Sequence, residues 1–503
     1  MKKNIIANFL GRFWGVFSNF IFIPLYIQYL GFENYSLISF TLIIAGIMGV
    51  VDAGLTSTLS REFARKDRTD DYKLRVFKTL ESLYLTIFIC CSVVGFFLSD
   101  YIIDYWINSE GISREVLLFS IRVAIAEIGL QLLFRFYKGG VLGLERQVKA
   151  NVYQVLWGVV RNAFVVLPIY FYPQVKVFFV WQLLSSIIFV AIIRRALIKM
   201  ISNKEGFFFK PKVEKDILKE IWKFASGVLL IAIVASVNTQ MDKFAISKFL
   251  SLEYLGYYTI AYSLARVIGV LVNPISVAIL PRLTSLYSTK KIKEATQLFN
   301  KINLITTIII ISIMSVVMLF GKELIWIWTG DMELAGKSSF VVAVLVIGYS
   351  SLALQILPYN LALANGYTKL NNIIGIISLI ITIPGYILTT QTFGMNGAAY
   401  LFSGVQIVIS IFYILILSKM YLVIHNSVKY YFRMYLNPIV LIVALTFFLH
   451  KIPFTSENRF LFLIWIGFVF CIVFVTSILV LTPAQIRDIT RIKYIFKGLK
   501  NKK

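Results

Sequence analysis

Residues 302–320 run for nineteen positions without a charged side chain, and segments of this kind recur along the whole chain. About 20 mostly apolar residues suffice to carry a helix across the hydrocarbon core of a bilayer. Lipid offers no hydrogen bonds, so a spanning backbone must satisfy its own, and these segments are bound to be helical. Fourteen such stretches can be read, the first at 5–30 and the last at 460–481. Only 15% of the 503 residues are charged, against about 25% in a soluble domain. The fold class is therefore all-α and integral to a membrane.

The formal net charge of +25 could suggest nucleic acid, but the positions of the charges exclude it. With the N-terminus placed in the cytoplasm, about 38 of the Lys and Arg residues fall in cytoplasmic segments and about 7 on the other side. Both termini are thus expected in the cytoplasm, with the basic segments facing anionic lipid headgroups. No external loop exceeds about 20 residues, too few for a catalytic domain. Cys90, Cys91 and Cys471 lie in apolar runs and read as small core residues. His425 and His450 stand far apart near span edges, so no metal site is expected. No phosphate-binding G-x-x-x-x-G-K-[ST] sequence occurs.

The chain repeats itself with a shift of about 220 residues. Leu30-Gly31-Phe32-Glu33 matches Leu250-Ser251-Leu252-Glu253. Asp52, Leu59 and Arg61 match Asn273, Leu280 and Arg282, and Tyr137, Gly143 and Arg146 match Tyr359, Gly366 and Lys369. Two pseudo-symmetric six-helix lobes result, 1–197 and 225–417. A cytoplasmic amphipathic linker at 198–224 joins them, and 418–503 adds two further spans and a basic tail. An even number of spans gives both lobes the same orientation, the parallel-repeat plan of several transporters, whose cargo site lies near the midplane. Pro24, Pro274 and Pro384-Gly385 are candidate helix bends. Asp52 is expected to end the second span and cap the next segment.

Charges inside spans are costly and mark function. Arg161 and Arg266 sit centrally in their spans, joined by Arg122, Lys243 and Arg12. Together they read as the lining of a cationic cavity for an anionic cargo, because the planar guanidinium fork fits phosphate oxygens. Glu127 reads either as an ion-coupling carboxylate or as a counter-ion for Arg122 or Arg161, and Asp242 as a similar group. Gln131 follows Glu127 by four residues and shares its helix face. Asn238 and Gln240 are candidate polar cavity or gate residues. Asp242 and Lys243 point about 100° apart on a helix and are expected to pair with other helices.

Three local patterns carry a resemblance. They are Asp52-Ala53-Gly54-Leu55 with Leu59, Arg61 and Ala64; Gly139 with Gly143-Leu144-Glu145-Arg146-Gln147; and Gln240-Met241-Asp242-Lys243 with Gly256-Tyr257-Tyr258 and Ala261. With the two-lobe plan they resemble the polysaccharide-transporter branch of the multidrug/oligosaccharidyl-lipid/polysaccharide exporter superfamily. The resemblance implies a flippase, not an enzyme, in the cytoplasmic (inner) membrane, moving an undecaprenyl-pyrophosphate-linked oligosaccharide of O-antigen or capsule type. It implies no cofactor, a proton or sodium gradient as the driving force, and membrane lipids as surroundings. A polysaccharide polymerase and a chain-length regulator are the implied protein partners, and nucleic acid is not one. The alternatives are a lipid II flippase, a small-molecule exporter of the multidrug type, or a membrane polysaccharide polymerase. Intramembrane cations outnumber carboxylates, which disfavours a cationic drug as cargo. The absence of a clustered acidic motif disfavours a polymerase.

Overall fold

The computed structural model describes residues 14, 17–18, 20–202, 212–367, 369–423, 426–454 and 456–500. Arg12, His425 and the 207–209 phenylalanine run lie outside them. The described residues form helices and the turns between them: α1 (Phe20–Leu30), α2 (Phe32–Ala64), α3 (Asp70–Tyr105), α4 (Arg114–Gly143), α5 (Gln147–Phe171), α6 (Val175–Ser202) and α7 (Lys215–Phe249). They continue with α8 (Leu252–Ala265), α9 (Val267–Ser288), α10 (Ile292–Leu319), α11 (Gly321–Thr329), α12 (Met332–Ala364), α13 (Lys369–Tyr421), α14 (Ser427–His450) and α15 (Arg459–Lys500). Two compact units divide the chain, residues 1–256 and 257–503.

Among the described residues, 11 helices are long and apolar enough to cross a membrane, and α1 is a shorter apolar helix. The sequence reads as fourteen spans. One difference is α13, a single 53-residue helix by length. It is interrupted at Gly394, whose φ of 62° and ψ of −146° belong to a region that essentially only glycine occupies. Tyr413 Oη donates to Asn371 Oδ1 at 3.0 Å, a contact that a straight helix would stretch to about 60 Å. The two arms therefore fold back on each other, and each is long enough to cross. The break falls ten residues beyond Pro384, which stays inside the helix, as Pro274 does in α9. The seventh expected span lies within α7, which carries Asn238, Gln240, Asp242 and Lys243.

Asp52 does not end a helix. It sits within α2, which runs on to Ala64, and it accepts hydrogen bonds from Thr56 and from Tyr84 (2.8 Å). The first unit has a core near this end, where Leu59 and Phe63 of α2 meet Phe77 and Leu80 of α3, Phe136 of α4 and Leu197 of α6. Ile217 and Ile221 of α7 close the same core, so this part of the 198–224 segment is buried, while Trp222 is exposed. A buried charge needs partners. Glu81 has them in Tyr137 Oη at 2.7 Å and Arg194 Nε at 2.7 Å. Arg75 donates to Glu214 just before α7 and holds its carboxyl below the usual carboxylate range.

The motif glycines act by packing. A Cβ at Gly143 would stand 2.5 Å from the Ser60 carbonyl oxygen of α2, and one at Gly139 would meet Thr56 at 2.6 Å. Small residues allow such close approach between membrane helices. In the second unit, α10 packs on α14 and α15. Asn300 and Asn303 meet Tyr430 and Tyr435 there in a buried hydrogen-bonded set. Cys90 and Cys471 are exposed on helix surfaces and are not core residues.

Candidate substrate-binding site

Arg161 of the first unit sits on a widened turn. Residues Val159–Ala163 of α5 form a π turn, closed by a bond from Phe164 N to the Val159 carbonyl at 3.2 Å. Gly158 precedes it and leaves room for the Trp14 indole, and Val159-Val160 are β-branched residues with restricted rotamers. A π turn breaks the regular carbonyl ladder. Three side chains from other helices take up the successive carbonyls. Trp181 Nε1 of α6 donates to Val160 O (2.9 Å), Gln182 Nε2 to Arg161 O (3.0 Å), and Tyr26 Oη of α1 to Asn162 O (2.7 Å).

This turn aims Arg161 at α4 and α6. Its Nε donates to Gln182 Oε1, and its Nη2 lies 3.1 Å from Glu127 Oε1. Its guanidinium carbon lies 5.2 Å from the Trp157 ring centre, within cation–π range. Glu127 also accepts from Ser186 Oγ at 2.9 Å and from Gln131 Nε2 at 2.6 Å. The Glu127 side chain is 5% exposed and that of Arg161 22%. The carboxylate is thus enclosed by donors, while part of the guanidinium stays accessible. No acceptor bonds Arg161 Nη1 among the described residues. The arrangement can present a directed cation with a built-in anion behind it.

Of the expected site residues, Arg161, Glu127 and Gln131 come together here, and Glu127 is counter-ion to Arg161, not to Arg122. Arg122 lies in another place, bonded to Ser99 and Asp100 of α3 at 2.9 and 2.8 Å. Lys243 is buried, and its ammonium lies 3.4 Å from the carboxylate of its own neighbour Asp242 and 3.4 Å from the Thr239 carbonyl. The lysine stem is long enough to bend back onto its own helix. Gln240 fills the space that a Cβ at Gly46 of α2 would need, and Asn238 is half-buried on α7.

Arg266, in the second unit, occupies the joint between α8 and α9. Its guanidinium carbon lies 5.3 Å from the Tyr262 ring centre, and Nη1 donates to Tyr262 Oη at 3.4 Å. No carboxylate pairs with it among the described residues. Sequence reasoning missed Gln182, Ser186, Trp181 and Tyr26. The spacing of Gln182, Ser185 and Ser186, one polar helix face inside an apolar span, was the available signal.

Residues 1–287 match the family described as polysaccharide biosynthesis protein, and residues 221–388 match the MatE family. A protein of Shigella flexneri provisionally named as an O-antigen transporter is 22% identical over 74% of this chain and 86% of its own length. Among solved structures, the lipid II flippase MurJ in an inward closed conformation aligns over 95% of this chain and 98% of its own, with a TM-score of 0.71 at 16% identity. An inward-facing multidrug resistance transporter of the MATE family covers 81% of this chain and 94% of its own, with a TM-score of 0.64 at 14% identity. The match over residues 1–287 spans more than half of the chain. The chain belongs to the polysaccharide biosynthesis protein family, a family of membrane transporters, not enzymes, within the multidrug/oligosaccharidyl-lipid/polysaccharide exporter superfamily.

Proposed function

We propose that this protein is a flippase for an undecaprenyl-pyrophosphate-linked oligosaccharide, an O-antigen or capsule repeat unit, in the cytoplasmic membrane with both termini in the cytoplasm. The observation that carries the reading is Arg161, an intramembrane guanidinium held on a π turn with one edge accessible and a buried carboxylate behind it. A phosphate oxygen suits that edge, since charge-assisted bonds to guanidinium are strong and directional. Arg266 is the second candidate contact, and the aromatic ring beside it leaves its charge uncompensated. The likeness to the Shigella flexneri protein supports a repeat unit as cargo.

Glu127 supplies a route to ion coupling. While ionised it neutralises Arg161; on taking up a proton it leaves the guanidinium free to attract phosphate. Proton binding and cargo binding then reinforce each other, as linkage requires. A polysaccharide polymerase and a chain-length regulator would receive the exported unit.

Deletion of the gene tests the assignment. The expected result is loss of surface polysaccharide, accumulation of the lipid-linked repeat unit in the inner leaflet, and normal growth. The fold likeness to MurJ favours one other reading, a lipid II flippase. Cell lysis with accumulated lipid II on depletion would establish that reading and overturn the first.

A further inference from the structure

Arg122 stands apart from the transport cluster, and its surroundings form a site of their own. Asp100 and Asp104 share one face of α3 near its C-terminus, and Arg114 of α4 bonds both, at 2.8 and 2.9 Å. Arg122 bonds Asp100 and Ser99 through Nη2 and Nε. Its Nη1 has no acceptor among the described residues. The side chains of Asp100 and Asp104 are each 44% exposed, and that of Arg122 29%. Two cations and two anions therefore share one accessible cluster of zero net charge.

Below it opens a groove of about 260 Å³, lined by Ser92, Val93, Phe96 and Phe97 of α3 with Arg122 and Ala126 of α4. The guanidinium carbon of Arg122 lies 4.1 Å from the Phe96 ring centre and closes the groove at its charged end. From Asp104 to Ser92 the α3 helix descends by about 18 Å. The order is charged at the helix end and apolar deeper in the span, which is the order of a glycerophospholipid standing in one leaflet.

We propose that the α3–α4 groove binds one zwitterionic glycerophospholipid bearing a primary ammonium. One acyl chain lies along Val93, Phe96, Phe97 and Ala126, the phosphate meets Arg122 Nη1, and the ammonium meets Asp104. Balanced charges in the cluster select a zwitterion over an anionic lipid, because an added anion would face Asp100 and Asp104 as well as the arginines.

The test is native mass spectrometry of the purified, delipidated full chain titrated with phosphatidylethanolamine and, separately, with phosphatidylglycerol. One phosphatidylethanolamine is expected to bind at least tenfold tighter than phosphatidylglycerol. Arg122→Ala should weaken it at least tenfold, and so should Val93→Trp, which fills the groove and leaves every charge in place. Free phosphoethanolamine should displace nothing. Wild-type affinity in Val93→Trp overturns the proposal even if Arg122→Ala fails to fold. Equal binding of the two lipids, or displacement by free phosphoethanolamine, overturns it as well.

Discussion

Glu127 and Arg161 are each held by more than the other, and that shapes what removing either one does. Deleting one member of a buried pair commonly costs about 3–5 kcal/mol, because the survivor is left uncompensated. Glu127 keeps Gln131 and Ser186 when Arg161 is gone, and Arg161 keeps Gln182 and an accessible edge when Glu127 is gone. Arg161→Ala and Glu127→Ala should therefore each destabilise by about 1–3 kcal/mol, below that range. A double-mutant cycle on melting in detergent should give a coupling of about 1–3 kcal/mol; additive losses would mean that the pair is not formed. For transport, Arg161→Ala and Arg266→Ala should abolish surface polysaccharide at normal protein levels, and Arg161→Lys should restore little, since an ammonium lacks the planar fork. Full export in both alanine variants would remove arginine from the cargo role. Glu127→Gln should leave export less dependent on the ion gradient. The sequence exposed these charges, because a cation within an apolar run is conspicuous. It concealed their partners, because Gln182 and Ser186 are ordinary polar residues until α6 packs against α5.

Among the helices, irregularity follows local backbone chemistry. Pro274 and Pro384 lie inside helices, and interruptions fall at Gly394 and Arg266 and in the π turns Val159–Ala163 and Phe432–Leu436. A π turn has no sequence signature of its own; it depends on who caps the freed carbonyls, here Trp181, Gln182 and Tyr26. Helical periodicity could therefore locate α5 but not the direction of Arg161. The repeat was more legible, because turn chemistry is local. Glu145 and Gly366, 221 positions apart, end α4 and α12 with φ of 59° and 70°. Glycine positions give the sharpest test at this scale. Gly143→Ala drives a methyl against the Ser60 backbone of α2, and over-packing of this kind costs about 1–3 kcal/mol. Gly269→Ala meets only the Asn273 amide, at 3.9 Å, and should be nearly silent. Equal melting temperatures for the two variants would contradict the close approach of α4 to α2. Gly394→Ala should lower stability by about 1–3 kcal/mol through backbone strain alone.

For the molecule as a whole, charge asymmetry does what no single contact can: it sets which side of the membrane each loop occupies. The turn between α2 and α3 carries Arg65, Lys66 and Arg68, and the segment from α4 into α5 carries Arg146 and Lys149. The α3–α4 turn at 106–113 has no Lys or Arg, and the α5–α6 turn at 172–174 has none either. Lys and Arg within short loops resist translocation. Loops at 65–69 and 144–146 should thus be cytoplasmic, and those at 106–113 and 172–174 external. The same orientation would put the charged cluster of Asp100, Asp104, Arg114 and Arg122 at the outer leaflet. Single cysteines placed at residues 67, 145, 109 and 173, in a chain with Cys90, Cys91 and Cys471 replaced, make this measurable in intact cells. A membrane-impermeant maleimide should label 109 and 173 and leave 67 and 145 unmodified until the cells are opened. The reverse pattern would invert the molecule, put both termini outside, and leave an export direction for the cargo without its topological basis. Labelling of all four sites in intact cells would show that the basic loops are not held on one side. The orientation is fixed by the sum of many weak preferences, so neutralising one loop, for example Arg65, Lys66 and Arg68 together, should not change the labelling at 109 and 173.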